Sequence, residues 1–172
     1  KMKFSDTDVF KLILEENNSD PYKDSNLKKL KSLSSKKKGK YFEALTQEFY
    51  KNMLGSSVRK PENSEHDRII DERKKEIKGS FLWGTGTHFR WQQIRVNQDY
   101  DDVIFVAAYP DRIEFYEADS DTVKKMLEVQ DSDGFWTYNQ HGGKKVNSGT
   151  FAIDGFPSDF SWMNKIGVIC AK

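Results

Sequence analysis

Apolar positions recur along this chain with two different periods. In KYFEALTQEFYKNML, Phe42, Leu45, Phe49 and Met53 fall three to four residues apart, which predicts a helix over Lys40–Leu54 with those side chains inward and Gly55 as its stop. Ser5 with Asp8 three residues later predicts the capped start of a shorter helix through Asp8–Glu15. Its broad apolar face suits packing on the domain or on a second copy of it. A third helix is expected over Ser120–Gln130, capped at Ser120 or Asp121, with Val123, Met126 and Leu127 inward. Strand patterns lie between the helices. Ile69 and Ile70 form a short apolar run, and a longer strand runs from Lys75 through Trp83. Val103–Tyr109 is apolar on both faces, as a central strand is. Pro110-Asp111 then turns the chain into Ile113–Tyr116, its antiparallel partner. HFRWQQIR, His88–Arg95, fits a helical turn or a short strand, and Thr150–Ile153 reads as a strand. A helix, three or four strands and a helix in that order predict an α/β protein with a central mixed β-sheet flanked by helices.

Between these elements the chain changes character. Asn17–Asp24 is turn chemistry. Asn26–Lys40 holds seven lysines among serines and leucines. It reads either as a solvated connection or as an arm that meets phosphates through Lys36, Lys37 and Lys38. Ser56–Glu65 is a polar loop, and Gly84-Thr85-Gly86-Thr87 a flexible turn. The last third, 131–172, is rich in Gly, Asn and Ser. There Asn139, Gln140, His141, Lys144 and Lys145 form a loop that suits base edges in a major groove or an exposed turn. Phe156–Trp162 is an aromatic cover for the sheet or part of a dimer contact.

Composition narrows the setting. With 172 residues the chain is read as a single domain: residues 1–37 as an N-terminal helix and basic connection, 38–130 as the core, 131–172 as a loop and strand region. The net charge is only +1, so basic character is local rather than global. There is no run of apolar residues long enough for a membrane span, and KMKFSDTD lacks the apolar centre of a signal peptide. A single cysteine, Cys170, excludes an internal disulfide framework and a cysteine-based zinc cluster. A cytoplasmic protein without membrane partners is expected. No P-loop, G-x-S-x-G elbow or H-E-x-x-H motif is present.

The chemistry gathers in His66–Ser80, HDRIIDERKKEIKGS, which reads as a β-hairpin. Side chains alternate across a strand, so Glu76 and Lys78 share one face while Ile77 takes the other. With Glu72 and Arg73 at the turn centre, Asp67 falls opposite Lys78 and on the same face as both. Asp67 and Glu76 are hard oxygen ligands suited to Mg²⁺, with the Ile77 carbonyl as a further ligand. A metal so held stabilises charge on a phosphodiester, and Lys78 can orient or deprotonate a water. Asp71 is the rival ligand, but its closeness to Glu76 in sequence places it in the turn.

Asp67, eight intervening residues, then Glu76-Ile77-Lys78 resembles the PD-(D/E)XK nuclease superfamily. The succession EIKGS, FRWQQIR and QDYD is likewise similar to restriction-type nucleases. One departure is His66, which stands where the family often has proline. The resemblance implies a restriction-endonuclease-like fold and Mg²⁺-dependent hydrolysis of double-stranded DNA, most simply by a type II enzyme acting as a homodimer. It further implies a glutamate from the preceding helix, Glu43, at or beside the metal site, and a glutamine, Gln93, near the active centre. Arg90 and Arg95 are then candidate phosphate contacts. A junction-resolving or repair nuclease, and a non-catalytic DNA-binding module on the same fold, are the alternatives.

Overall fold

The computed structural model describes residues 1–128, 136–139 and 150–172, with the backbone alone for 128 and 136–139. Four α-helices lie among them: α1 (Asp8–Ser19), α2 (Lys28–Lys31), α3 (Ser35–Leu54) and α4 (Ser120–Glu128). Nine strands form one mixed sheet: β1 (Val58–Arg59), β2 (Arg68–Ile70), β3 (Arg73–Trp83), β4 (His88–Arg95), β5 (Asp102–Ala108), β6 (Arg112–Asp119), β7 (Trp136–Asn139), β8 (Thr150–Gly155) and β9 (Asn164–Cys170). The main order is β7-β8-β4-β3-β5-β6-β9, with β2 also on β3 and β1 on β2. β3 and β5 run parallel and the other pairs antiparallel. The mixed α/β architecture thus agrees with the expectation.

α3 is the helix expected at Lys40–Leu54, but it begins five residues earlier because the Ser34 hydroxyl accepts from the Lys37 N–H and caps it. Lys36, Lys37 and Lys38 therefore sit on its first turns and not on a mobile connection. Gly55 closes it in the left-handed conformation. Its inner face lies on β3, β6 and β9. Phe42 sits so close over Gly79 that a Cβ there would be 2.3 Å from the ring, and Phe49 stacks on Phe115 at 4.2 Å.

All seven residues of β5 are buried, as its doubly apolar pattern requires. Phe105 points away from α3 and is covered by Trp91 of β4 and by Trp162. Trp91 also donates from Nε1 to the Val106 carbonyl (3.1 Å), so β4 curls back over β5 although it pairs with β3. Phe160 and Trp162 complete this aromatic layer, the sheet-cover reading of Phe156–Trp162. α4 packs against β5 and β6. Its cap is Asp119, one residue before Ser120 and two before Asp121, the expected positions, through bonds from the Thr122 N–H (2.8 Å) and hydroxyl (3.0 Å).

α1 differs from its expected start and setting. Thr7, not Ser5, caps it. None of its residues is buried, and Val9, Leu12, Ile13 and Leu14 are exposed, so it does not pack its apolar face on the domain. No helix among the described residues is long and apolar enough to cross a membrane.

Candidate active site

The turn between β2 and β3 sets the register of the site. Asp71 and Glu72 both take left-handed conformations (φ 49° and 62°), the two-residue turn whose twist suits a hairpin. Asp71 is fixed there because its N–H donates to the Ser57 carbonyl while its carboxylate accepts from the Ser57 N–H, each at 2.9 Å. Glu72 pairs with Arg59 at 3.0 Å. Arg68 consequently faces Lys75, and continuing the ladder puts Asp67 beside Glu76 rather than Lys78. The expected register is off by two residues. A slip of two preserves the faces, so Asp67, Glu76 and Lys78 still converge.

β2 pairs with β3 only as far as Arg68–Lys75, and β4 joins β3 only at Leu82–Phe89. Between these points, among the described residues, that edge of β3 has no strand beside it. It floors a cleft of about 780 Å³ walled by the start of α3 and by β4. Asp67 stands where the two strands part. Its Oδ2 accepts from the Ile77 N–H at 2.7 Å, in place of a ladder bond. A residue in a strand points its N–H and C=O to the same side, so the Ile77 carbonyl also faces this edge.

Three carboxyl groups meet here. Glu43 comes from α3, and Asp67 lies between it and Glu76, within hydrogen-bonding reach of each. Burial, with the Asp67 charge beside it, raises the Glu43 carboxyl above its ordinary range, against the pull of Arg68. Burial also pushes Glu76 up to about 8, with Asp67 adding to the rise and Lys78 opposing it. Lys78 Nζ is 3.3 Å from Glu76 Oε1. The cluster therefore holds a proton at neutral pH, because three negative charges in a half-dry site exceed what its two cations offset.

Among the described residues no three Asp, Glu, His or Cys side chains are already arranged around a metal position. Each carboxylate instead has a partner in the protein: the Ile77 N–H for Asp67, Lys78 for Glu76 and Arg68 for Glu43 (3.2 Å). The donor chemistry nevertheless fits a hard divalent cation, since crowded carboxylates sharing a proton are the groups whose repulsion such an ion removes.

Gln93 has φ 57° at a bulge between Trp91 and Ile94, and with Gln92 it lines the cleft. Arg90 also lines it, with its guanidinium forked onto Asp154 by two 2.9 Å bonds. Lys38 reaches the cleft, while Lys36 and Lys37 are exposed on α3 away from its lining. Arg95 ends β4 opposite Thr150, also outside the lining. Asn139 ends β7, and Gln140, His141, Lys144 and Lys145 lie outside the described residues.

Arg68 is a residue that sequence reasoning missed. It donates to Gln47 (3.0 Å), Glu43 (3.2 Å) and the Asp67 carbonyl (2.6 Å), and so ties α3 to the hairpin. The signal was present: Glu43 and Gln47 are four apart on one helical stripe, which suits a single arginine. Compared with models of known protein families and with curated proteins, the chain matches none.

Proposed function

We propose that this protein is a Mg²⁺-dependent endodeoxyribonuclease of the PD-(D/E)XK kind on a restriction-endonuclease-like fold, most simply a type II restriction enzyme cutting double-stranded DNA as a homodimer. The observation that carries the reading is the meeting of Glu43, Asp67, Glu76 and Lys78 at the fork between β2 and β4. Asp67, Glu76 and the Ile77 carbonyl would hold the ion, with Glu43 beside them. Mg²⁺ when bound there supplies charge stabilisation at the scissile phosphate and a lowered pKa for a water. Lys78, on the same strand, is placed to orient the attacking water or to offset charge on the phosphate. Ile77 anchors the group, because its N–H fixes the Asp67 carboxylate in position. Lys38 supports the approach of a phosphate backbone along the cleft. The exposed apolar side chains of α1 supply surface for a dimer contact, and two-fold pairing would imply a near-palindromic target.

A second reading has its own support. Every acidic group in the cluster has a cation or N–H from the protein as partner, an arrangement that also suits a DNA-binding module without catalysis. Incubation of mixed-sequence DNA with Mg²⁺, followed by sequencing of the ends, tests both. Defined ends support a restriction enzyme, cleavage confined to branched or gapped DNA a structure-specific nuclease. Binding without metal-dependent cleavage would overturn the hydrolytic reading. Sedimentation of wild type and Leu12→Glu tests the dimer: one that persists in the variant would exclude α1 as the contact.

A further inference from the structure

At the far end of the cleft floor stands an aromatic group that the hydrolytic site does not use. Trp83 ends β3, lines the cleft and keeps 41% of its surface exposed, the largest aromatic side chain so displayed among the described residues. It is buttressed from one side. The Arg90 guanidinium lies 4.1 Å from the ring centroid, and its fork onto Asp154 of β8 fixes its plane and offsets its charge. Beyond Trp83 the chain turns away through Gly84, where an added Cβ would meet only the Thr87 hydroxyl, at 3.7 Å. The indole is therefore backed by Arg90 and keeps 41% of its surface exposed at the cleft.

We infer that Trp83 is a stacking platform for an unpaired nucleobase of the strand lying in this cleft, backed by the Arg90–Asp154 pair. The inference rests on the nucleic-acid reading of the cleft and narrows its substrate. In an intact duplex each base has both faces covered by neighbours. An indole plate can be used only by a base in a single strand, a gap or a flap, or by one extruded from the stack. Five residues of strand separate Trp83 from Lys78, about 17 Å at a strand's rise per residue. That equals about five base steps at the duplex spacing of 3.4 Å. The odd separation places the two side chains on opposite faces of β3, so a strand that meets both must pass over the open edge between them. Lys38, on the same cleft wall, is placed to meet the phosphates between. Within the hydrolytic reading such a base comes from an unpaired stretch or is extruded from a paired site as the cleft engages it.

Binding of a labelled single strand and of its blunt duplex, measured by fluorescence anisotropy in EDTA, tests the inference. Trp83→Leu is expected to weaken single-strand binding by about 5- to 150-fold, the range found for loss of one base–aromatic stack, and to leave duplex binding unchanged. Trp83→Phe keeps an aromatic face and should remain within about threefold of wild type. Abasic substitution along the single strand should find one position whose loss matches Trp83→Leu in wild type and adds nothing in the variant. Equal weakening on both DNAs, or no weakening on the single strand, would overturn the platform. If wild type cuts paired DNA with Mg²⁺ while Trp83→Leu binds single strands normally, only the platform fails. If wild type binds neither DNA, the nucleic-acid reading fails with it.

Discussion

Asp67 combines two tasks in one side chain. It satisfies the Ile77 N–H at the point where β2 stops doing so, and it sets the charge felt by Glu43 and Glu76. Lys78 has no comparable structural duty, since among the described residues its one ion pair is with the partly protonated Glu76. Lys78→Ala should therefore leave folding and DNA binding intact and lower cleavage by about 10²-fold or more, the usual cost of losing a group that acts on the reacting atoms. Matched single-turnover and anisotropy measurements check it; a variant cutting within a few fold of wild type would remove Lys78 from the chemistry. Glu76 yields a prediction about pH. Its folded pKa of about 8 lies above the value of about 4.3 expected in the unfolded chain. The native state thus retains a proton that the unfolded state releases, and metal-free stability falls as pH rises through that window. Glu76→Gln removes the penalty, so its urea midpoint should exceed that of wild type at about pH 9, with the gap closing toward about pH 4. A pH-independent gap would mean that Glu76 titrates normally.

At the scale of elements, the periodic segments were legible and their edges were not. The stripe of Phe42, Leu45 and Phe49 marks α3, but its first turn is lysine and serine, which carry no apolar period, so only the Ser34 cap reveals where it starts. The hairpin was legible as a hairpin, yet its register depended on two non-glycine residues with positive φ, which local propensity argues against. β9 escaped because NKIGVIC alternates weakly and is only partly covered. Trp83 read as part of a strand, and its exposure became visible only with the curl of β4. The contact of α3 with β3 makes a test at this scale. Gly79→Ala would place a Cβ 2.3 Å from the base of the Phe42 ring, which cannot swing away as a side-chain tip can. α3 must lift, costing about 1–3 kcal/mol, and Glu43, the next residue after Phe42, must move with it. We expect a lower urea midpoint together with reduced cleavage per folded molecule. Loss of stability with full activity would show that Glu43 is not needed at the site.

The whole molecule depends on a parallel pairing, β3 with β5, that no local pattern announces, because such strands are joined through distant chain. An ionic knot locks its first rung. Asp102 takes two bonds from Arg73 (2.7 and 2.8 Å) and one from Lys75 (2.7 Å), and Lys75 also reaches Glu117 (2.6 Å), which accepts from the Tyr50 hydroxyl of α3 (2.7 Å). Burial pushes the Asp102 carboxyl up, but the bonds to Arg73 and Lys75 outweigh it and hold the group below its usual range. Its contribution is therefore complete above the unfolded value of about 3.9 and is lost as pH falls through the lower folded value. Asp102→Ala leaves the Lys75 ammonium, whose side chain is 5% exposed, with Glu117 alone. Breaking a buried pair from one side costs about 3–5 kcal/mol. At about 2–4 °C per kcal/mol for a chain of this size, Tm should fall by about 6–20 °C at neutral pH. Tyr50→Phe removes only a hydrogen bond at the rim of the same network and should cost about 0.5–1.5 kcal/mol. Thermal denaturation of both variants at neutral pH and near pH ~3 separates the effects. The Asp102→Ala deficit should shrink in acid, where the unfolded wild type takes up a proton that Asp102 must give up on folding, and a deficit unchanged by acid would assign the loss to packing rather than to the ionic knot.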